Sequence, residues 1–344
     1  MAFTVVGGGN SLYIPTTNDM ATGALQIEFT RSVNSFALTR YAQLVPVSKM
    51  SGYYLRQDIA DNVRVTDIKK FLWPIGTDRP VGSQDSFEFV QYTTARNAFP
   101  FYIPQESAEQ AAWDVVAQHA RAKMQLAMTR RTMEAATALS TAGNWGDNYV
   151  ADPTVSPISA GAWTASSVNN GYIQKSIQNV MKAVNFSSAG GVNPNELIMV
   201  ISPAVALIIG QSPEVKDYVK NYGAAKEFLQ GNGTFSRWGI PPTLFGLGDV
   251  VVDDSVKITS KKGAATLVAA SVLGNGAYFV SRPGGLVGLE GAPSWSTLQI
   301  FAYQDMLVEQ WLDAPNKRTE GRVIDNSVAA ITSSLAGYCI GSVV

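Results

Sequence analysis

The sequence offers few residues able to do chemistry, and their spacing assigns none of them a reaction. His119 is the only histidine, which excludes a histidine metal pair and leaves a Ser-His-Asp relay dependent on that one side chain. It falls in the middle of a predicted helix, so a structural role is expected. Cys339, the only cysteine, excludes an intrachain disulfide framework and cysteine-clustered zinc or iron–sulfur sites. Its apolar, Gly-flanked setting reads as a small packed hydrophobe. The pairs Asp253-Asp254 and Asp58/Asp61 lack metal-ligand spacing and read as turn residues. Gly7-Gly8-Gly9 and Gly231-Asn232-Gly233 are not followed by Lys-Ser/Thr and are not framed by a strand and a helix. They read as flexible joints, not as phosphate cradles. No catalytic, cofactor-binding or metal-ligating residue is assigned.

What remains notable is aromatic and basic. Thirteen Tyr, 14 Phe and 7 Trp stand in a chain of 344 residues that is 46% hydrophobic and only 15% charged. Such a chain fills one large domain or two smaller ones, and its aromatic residues serve either a large core or the anchors of protein interfaces. Composition alone does not choose between them. The net charge of −1 gives no overall field toward nucleic acid or an anionic membrane, so contact with DNA would be local and weak. Arg121, Lys123, Arg130 and Arg131 form one local basic cluster on a predicted helix. Solvated helix charge or intersubunit ion pairs are the expected reading, with an inner face toward DNA as the alternative. Met1 to Thr17 lacks the basic and apolar regions of a signal peptide, and no apolar run approaches the roughly 20 residues of a membrane-spanning helix.

The elements that must position these residues follow from pattern. Ala2 to Val47 alternates β-prone pieces with Gly, Pro, Asn and Thr and shows no helical period, which predicts an extended arm. Y-A-Q-L-V-P-V-S-K-M-S-G-Y-Y-L (Tyr41 to Leu55) and S-F-E-F-V-Q-Y (Ser86 to Tyr92) flank a breaker-rich stretch, Trp73 to Gly82. This predicts a long hairpin with its tip near residues 70 to 83. A two-stranded ribbon is marginal alone in water, so it reads as a limb that docks on another subunit. After Pro104, apolar residues recur at Trp113, Val116, Ala117, Ala120, Met124, Ala127, Met128 and Met133. Ser107 is the candidate cap of a helix to Leu139, a rod on the order of 50 Å long. A second helix is expected over about Tyr172 to Val184, capped by Asn169 or Asn170. Strands at Leu197 to Ile201, Asp249 to Val252, Ala265 to Leu273 and Ala277 to Val280, with helices from Pro203 and Pro213, predict an α/β module. Leu298 to Leu312 and Arg322 to Ile331, joined by a polar turn at Asp313 to Arg318, predict a closing ribbon.

This order resembles the capsid subunits of tailed bacteriophages with the HK97 fold. Tyr41 to Leu55 looks like the lead into an E-loop. N-A-F-P-F-Y-I-P-Q-E (Asn97 to Glu106) looks like the approach to a spine helix, and N-P-N-E-L-I-M-V-I-S-P-A-V (Asn193 to Val205) like the first strand and turn of an A-domain. The resemblance implies an α+β chain with an N-terminal arm (1–47), an E-loop (48–93), a P-domain (94–185 and 290–328) and an A-domain (186–289 and 329–344). The spine helix is placed at about 107–139.

The same resemblance implies a non-enzymatic major capsid protein without cofactors. Copies assemble into pentamers and hexamers of an icosahedral shell around phage double-stranded DNA. The place is the virion capsid, after synthesis in the bacterial host cytoplasm. Implied partners are other copies, a separate scaffolding protein, a portal and a decoration protein, with weak non-specific contact to packaged DNA and no membrane. Tyr53, Tyr54, Trp73, Phe87 and Phe89 in the E-loop, with Arg79 at its tip, are the expected intersubunit contacts. The sequence departs from the family in lacking a long, charged, helical N-terminal extension. Lys69 and Lys70 lie in the E-loop, from which a lysine of the type member cross-links to an asparagine on a neighbour, but no asparagine partner can be placed, so no cross-link is predicted. Rival readings are an encapsulin-type shell holding a cargo enzyme, an α/β enzyme, for which no catalytic motif is found, and a β-rich adhesin, disfavoured by the missing secretion signal.

Overall fold

Two sheets of contrasting exposure organise the computed structural model, which describes residues 2–4, 31–57, 73–75, 78, 87–111, 114–163, 171–221, 238, 240–241, 243–282 and 296–344. In chain order the first strands and helices are β1 (Ala2–Thr4), α1 (Leu38–Tyr41), β2 (Gln43–Pro46), β3 (Ser51–Gln57), β4 (Phe87–Thr93) and β5 (Ala95–Pro104). Next come α2 (Gln105–Gln110), α3 (Val115–Ser140), β6 (Tyr149–Val150), α4 (Tyr172–Ser187), β7 (Leu197–Ile201), α5 (Pro203–Gln211) and α6 (Pro213–Asn221). The strands that follow are β8 (Asp249–Val252), β9 (Val256–Ile258), β10 (Thr266–Ser271), β11 (Ala277–Ser281), β12 (Leu298–Asp313), β13 (Arg318–Ile331) and β14 (Tyr338–Ile340).

A five-stranded sheet, β6-β14-β11-β7-β8, is covered on both faces. The continuous apolar run of β7 follows from that double burial, since a strand with one wet face would alternate. Met199 and Ile201 face one cluster, with Ile173, Ile177, Val180 and Val184 of α4 and Val205 and Ile209 of α5. Val200 faces a second, with Tyr278, Val280 and Cys339 from neighbouring strands and Ala127, Met128, Ala135 and Leu139 of α3. Pro203 opens α5 as the sequence predicts, because a missing N–H costs nothing in a first turn.

The four-stranded sheet β2-β12-β13-β5 carries the closing ribbon, whose strands match the predicted ribbon and turn. β12 is bulged near Gln304, and Met306 there has φ of +49°. At Gly321 a side chain has no room, since an added Cβ would lie 2.3 Å from the Phe101 ring on the facing strand.

Three expectations need correction. The long helix does not start at Ser107: α2 ends at Gln110, and α3 begins after Asp114, whose carboxylate accepts the Ala117 N–H at 2.9 Å. Trp113 lies outside the described residues, and Met133 is exposed, not core-facing. Residues 33–46 are not a free arm, because Phe36, Leu38 and Tyr41 are buried in the second cluster. The Asp253-Asp254 pair is more than a turn. Buried Asp253 accepts the Tyr41 hydroxyl at 2.8 Å, and Asp254 pairs with Arg31 at 2.8 Å, fastening that segment to the core. Arg40 adds a pair to Asp249 at 2.7 Å. The predicted caps Asn169 and Asn170, the glycine clusters and Asp58/Asp61 lie outside the described residues. α4 starts after Gly171, and its first N–H groups, of Ile173 and Gln174, donate to the Glu214 carboxylate.

Candidate intersubunit surface

Strands β3 and β4 pair antiparallel from Ser51↔Thr93 to Gln57↔Phe87. They grow from the two opposite edges of the four-stranded sheet, since β3 follows edge strand β2 and β4 precedes edge strand β5. The Thr94 N–H donates to the Met50 carbonyl at 2.7 Å and closes the base.

Strand alternation then sorts the side chains into two faces. One face carries Tyr54 and Tyr92, which stack on the Phe301 ring of β12 with centroids 5.6 and 4.7 Å away. Each such stack stabilises the anchor by about 0.5–1.5 kcal/mol beyond its burial. Gly52 is required beneath it, because a Cβ there would meet the Tyr92 hydroxyl at 2.7 Å. Burial raises the Tyr54 hydroxyl above its ordinary range; Arg56 opposes the shift and Glu88 adds to it. Arg56 and Glu88 pair across the ribbon at its solvated edge.

The opposite face carries Tyr53, Leu55 and Phe89, which are 67%, 54% and 71% exposed. Leu55 and Phe89 are direct cross-strand partners, and Tyr53 lies two residues along the same face. Three large apolar side chains are thus held in register on the solvent-facing side of the ribbon.

A second exposed surface lies at the far end of the closing ribbon. On one face, Arg322 pairs with Glu309 and lies over the Trp311 ring, while the Trp311 indole N–H donates to Glu320 at 3.1 Å. Arg318 pairs with Asp313 and Glu320 and lies over Tyr102. Tyr102 is 59% exposed. The sequence reading missed this ladder. Its signal was available in E-x-W-x-D across the turn from R-x-E-x-R, a period-2 alternation of complementary charge.

The predicted site residues therefore divide. Tyr53 and Phe89 face solvent together, whereas half-buried Tyr54 stacks on Phe301 of its own chain. Trp73 is exposed. Arg79, Lys69, Lys70 and the Phe87 side chain lie outside the described residues, although the Phe87 backbone closes the ladder. The basic cluster divides too. Arg121 is exposed and Lys123 half-buried, but Arg131 is buried and donates to Asp305 at 2.8 Å and to the fully buried Asp325. Arg130 lies 3.2 Å from Glu134 and 3.7 Å from Asp325. Desolvation raises the Glu134 carboxyl, with Arg130 opposing. Arg130 and Arg131 thus make ion pairs within the chain, which bind α3 to β13.

His119 Nδ1 lies 2.9 Å from the Val115 carbonyl, one helical turn back. Cys339 is fully buried, and burial pushes its thiol up to about 12, far from a nucleophile's range. Among the described residues no three His, Cys, Asp or Glu side chains group as metal ligands, and no helix is long and apolar enough to cross a membrane.

No protein-family model matches the chain, and no curated protein matches it. Solved structures do. A phage-related protein from Bordetella bronchiseptica RB50 is similar over 95% of this chain and 97% of its own, at 17% identity and a TM-score of 0.61. The capsid of cyanophage P-SCSP1u is similar over 98% and 96%, at 10% identity and a TM-score of 0.55. The mature capsid of bacteriophage PhiM1 follows at 92% and 89%, with 14% identity and a TM-score of 0.54. The fold is thus the HK97-like α+β capsid fold.

Proposed function

We propose that this chain is the major capsid protein of a tailed bacteriophage, a structural subunit whose copies close into an icosahedral shell of pentamers and hexamers around double-stranded DNA. The observation that carries the reading is the β3–β4 ribbon, which presents Tyr53, Leu55 and Phe89 to solvent while its other face is tied to Phe301. A monomer has no use for such a surface; a wall of overlapping copies does. The shared fold with phage capsids supplies the class of assembly. A net charge of −1 suits a wall that contains DNA without gripping it.

In this reading residues 48–93 are the E-loop. The four-stranded sheet with α3 belongs to the P-domain and the five-stranded sheet to the A-domain. Exposed Trp73, with Arg79 and Phe87, belongs to the same contact as Tyr53 and Phe89. The shell is built in the bacterial host cytoplasm on a separate scaffolding protein, with a portal at one vertex and a decoration protein as a further partner. The chain carries no enzymatic activity of its own.

Purified protein at micromolar concentration, with and without scaffold, tests this by sedimentation and negative-stain microscopy. Capsomers or closed shells are expected. A stable monomer under all salt and scaffold conditions would falsify the proposal.

A further inference from the structure

The sheet β2-β12-β13-β5 leaves one long edge uncovered. β2 pairs with β12 over residues 299–302 only, and the Val47 N–H donates to the Ala302 carbonyl at the end of that pairing. Beyond its bulge, β12 pairs with β13 without a shift from Leu307↔Ile324 to Asp313↔Arg318, and β13 is held on its other side by β5. Among the described residues, no strand pairs with the outer side of β12 over residues 307–313. Edge strands are commonly blunted by Lys, Pro or a bulge. The segment L-V-E-Q-W-L-D has none of these, and Leu307, Trp311 and Leu312 in it are exposed.

A groove runs beside this edge. Val308, Gln310 and Leu312 lie on the α3 side of the sheet, because Val308 partners Val323, which clusters with Ala127 and Met128 of α3. With Val116, Ala117 and Ala120 of α3 they line a groove of about 650 Å³. Val308 and Leu312 are 40% and 61% exposed. An occupant must therefore supply an extended backbone and apolar side chains at alternate positions.

The segment itself meets that description. A two-fold axis between antiparallel strands stands normal to the sheet, so residues of the same face oppose each other and α3 lies on the same side in both copies. With the axis at Gln310, Val308 of each copy opposes Leu312 of the other, and apolar side chains close both grooves. On the other face Glu309 opposes Trp311 and Leu307 opposes Asp313, so no like charges meet. An axis at Trp311 would set Glu309 against Asp313 twice, and like charges directly opposed are destabilising. An axis at Glu309 would set Leu312 against Met306, which is buried at the bulge.

We infer that β12 is a pairing edge between copies: residues 307–313 of two subunits pair antiparallel about Gln310 and join two four-stranded sheets into one. This rests on the shell reading above and names a contact separate from the β3–β4 ribbon. An icosahedral shell supplies two-fold axes between neighbouring copies. The partner is a second copy of this chain.

Single cysteines test the inference, since the native Cys339 is fully buried and does not compete. At a two-fold axis a residue meets its own counterpart, so Gln310→Cys in particles confirmed by microscopy should oxidise to a reducible homodimer as the main product. Leu307→Cys should not, because its two copies stand about 20 Å apart along the ladder, beyond disulfide reach. A mass-tagged Val308→Cys chain co-expressed with an untagged Leu312→Cys chain should give the tagged–untagged heterodimer, which fixes the register. Absence of the Gln310 homodimer, or an equal yield at Leu307, overturns the inference. Val308→Lys with Leu312→Lys gives a second readout, because each lysine then opposes a lysine. Both positions are exposed, so the urea midpoint of the subunit should hold while closed particles are lost. A normal particle yield counts against the pairing. Lost particles without a Gln310 homodimer would assign the edge to a different partner and overturn it. If the unaltered chain makes no particles, the shell reading itself has failed. The Gln310→Cys homodimer in the free protein then still supports the pairing, and its absence overturns it.

Discussion

The five-stranded sheet and the β3–β4 ribbon are built from similarly apolar strands and put them to opposite uses. Strand β7 sends Met199 and Val200 into separate clusters, each fully buried. Strand β3 sends Tyr54 onto Phe301 and Tyr53 into solvent. Apolar side chains in the first place hold the subunit together, and side chains of the same kind in the second face solvent. The difference is one of covering layers. Helices α4 and α5 lie on one side of the sheet and α3 on the other, while one face of the ribbon rests on the Phe301 ring and the other is exposed.

The contrast is sharpest in alkali. Burial holds Tyr41 well above its ordinary range and pushes Tyr278, Tyr338 and Cys339 up to about 12. All four stay neutral in the folded subunit but ionise from their ordinary values of 10.0 and 9.0 once unfolded. A raised folded pKa contributes stability that is intact below the unfolded value and lost as pH rises through the folded one. The urea midpoint should therefore be flat up to about pH 9 and fall steeply toward pH 12. A midpoint still flat at pH 12 would mean that the sheet is not sealed.

Single substitutions in the covered region come next. Arg131→Met takes from the fully buried Asp325 the nearer of its two cations, leaving Arg130 at 3.7 Å, and should cost about 3–5 kcal/mol in urea unfolding of the subunit. Tyr41→Phe strips a hydroxyl from the buried Asp253 and should cost about 1–3 kcal/mol. Gly321→Ala forces the Phe101 ring away from β13, and overpacking there should cost about 1–3 kcal/mol. A near-neutral result for Arg131→Met would break the comparison, because α3 would then not depend on the buried network that joins it to β13.

How much of this could be read from the sequence depends on whether polarity tracked burial. The run L-I-M-V-I, the helix at Tyr172, the start at Ser202-Pro203 and the closing ribbon were legible because their patterns match their surroundings. The core seam of α3 was not. Its buried positions include Arg131 and Thr132, so the polar residues that the sequence places outside face inward. The end of that helix was legible as turn chemistry, but not that Asn144 and Trp145 donate to the Ala138 and Leu139 carbonyls. Residues 33–46 read as an arm because the contacts that bury them come from Asp253, Asp254 and β12, more than 200 residues away. At the ribbon, strand alternation already separates Tyr53 from Tyr54. What it does not tell is which face meets Phe301, and that decides which tyrosine anchors and which is offered.

The smallest expected effect on the subunit belongs to the ribbon face, and it is also the most direct test of the account. Tyr53→Ser with Phe89→Ser removes two exposed side chains that touch no core, so subunit unfolding should move by less than about 0.5 kcal/mol. Interface anchors of this kind contribute about 2 kcal/mol or more each, and their loss at every capsomer should abolish closed shells. The measurement is a pair on one preparation: the urea midpoint of the subunit and the particle yield by negative-stain microscopy. An unchanged midpoint with no shells is the predicted result. Normal shells from the double variant would contradict the claim that this face holds copies together, and a large loss of subunit stability would place Tyr53 and Phe89 in the fold instead.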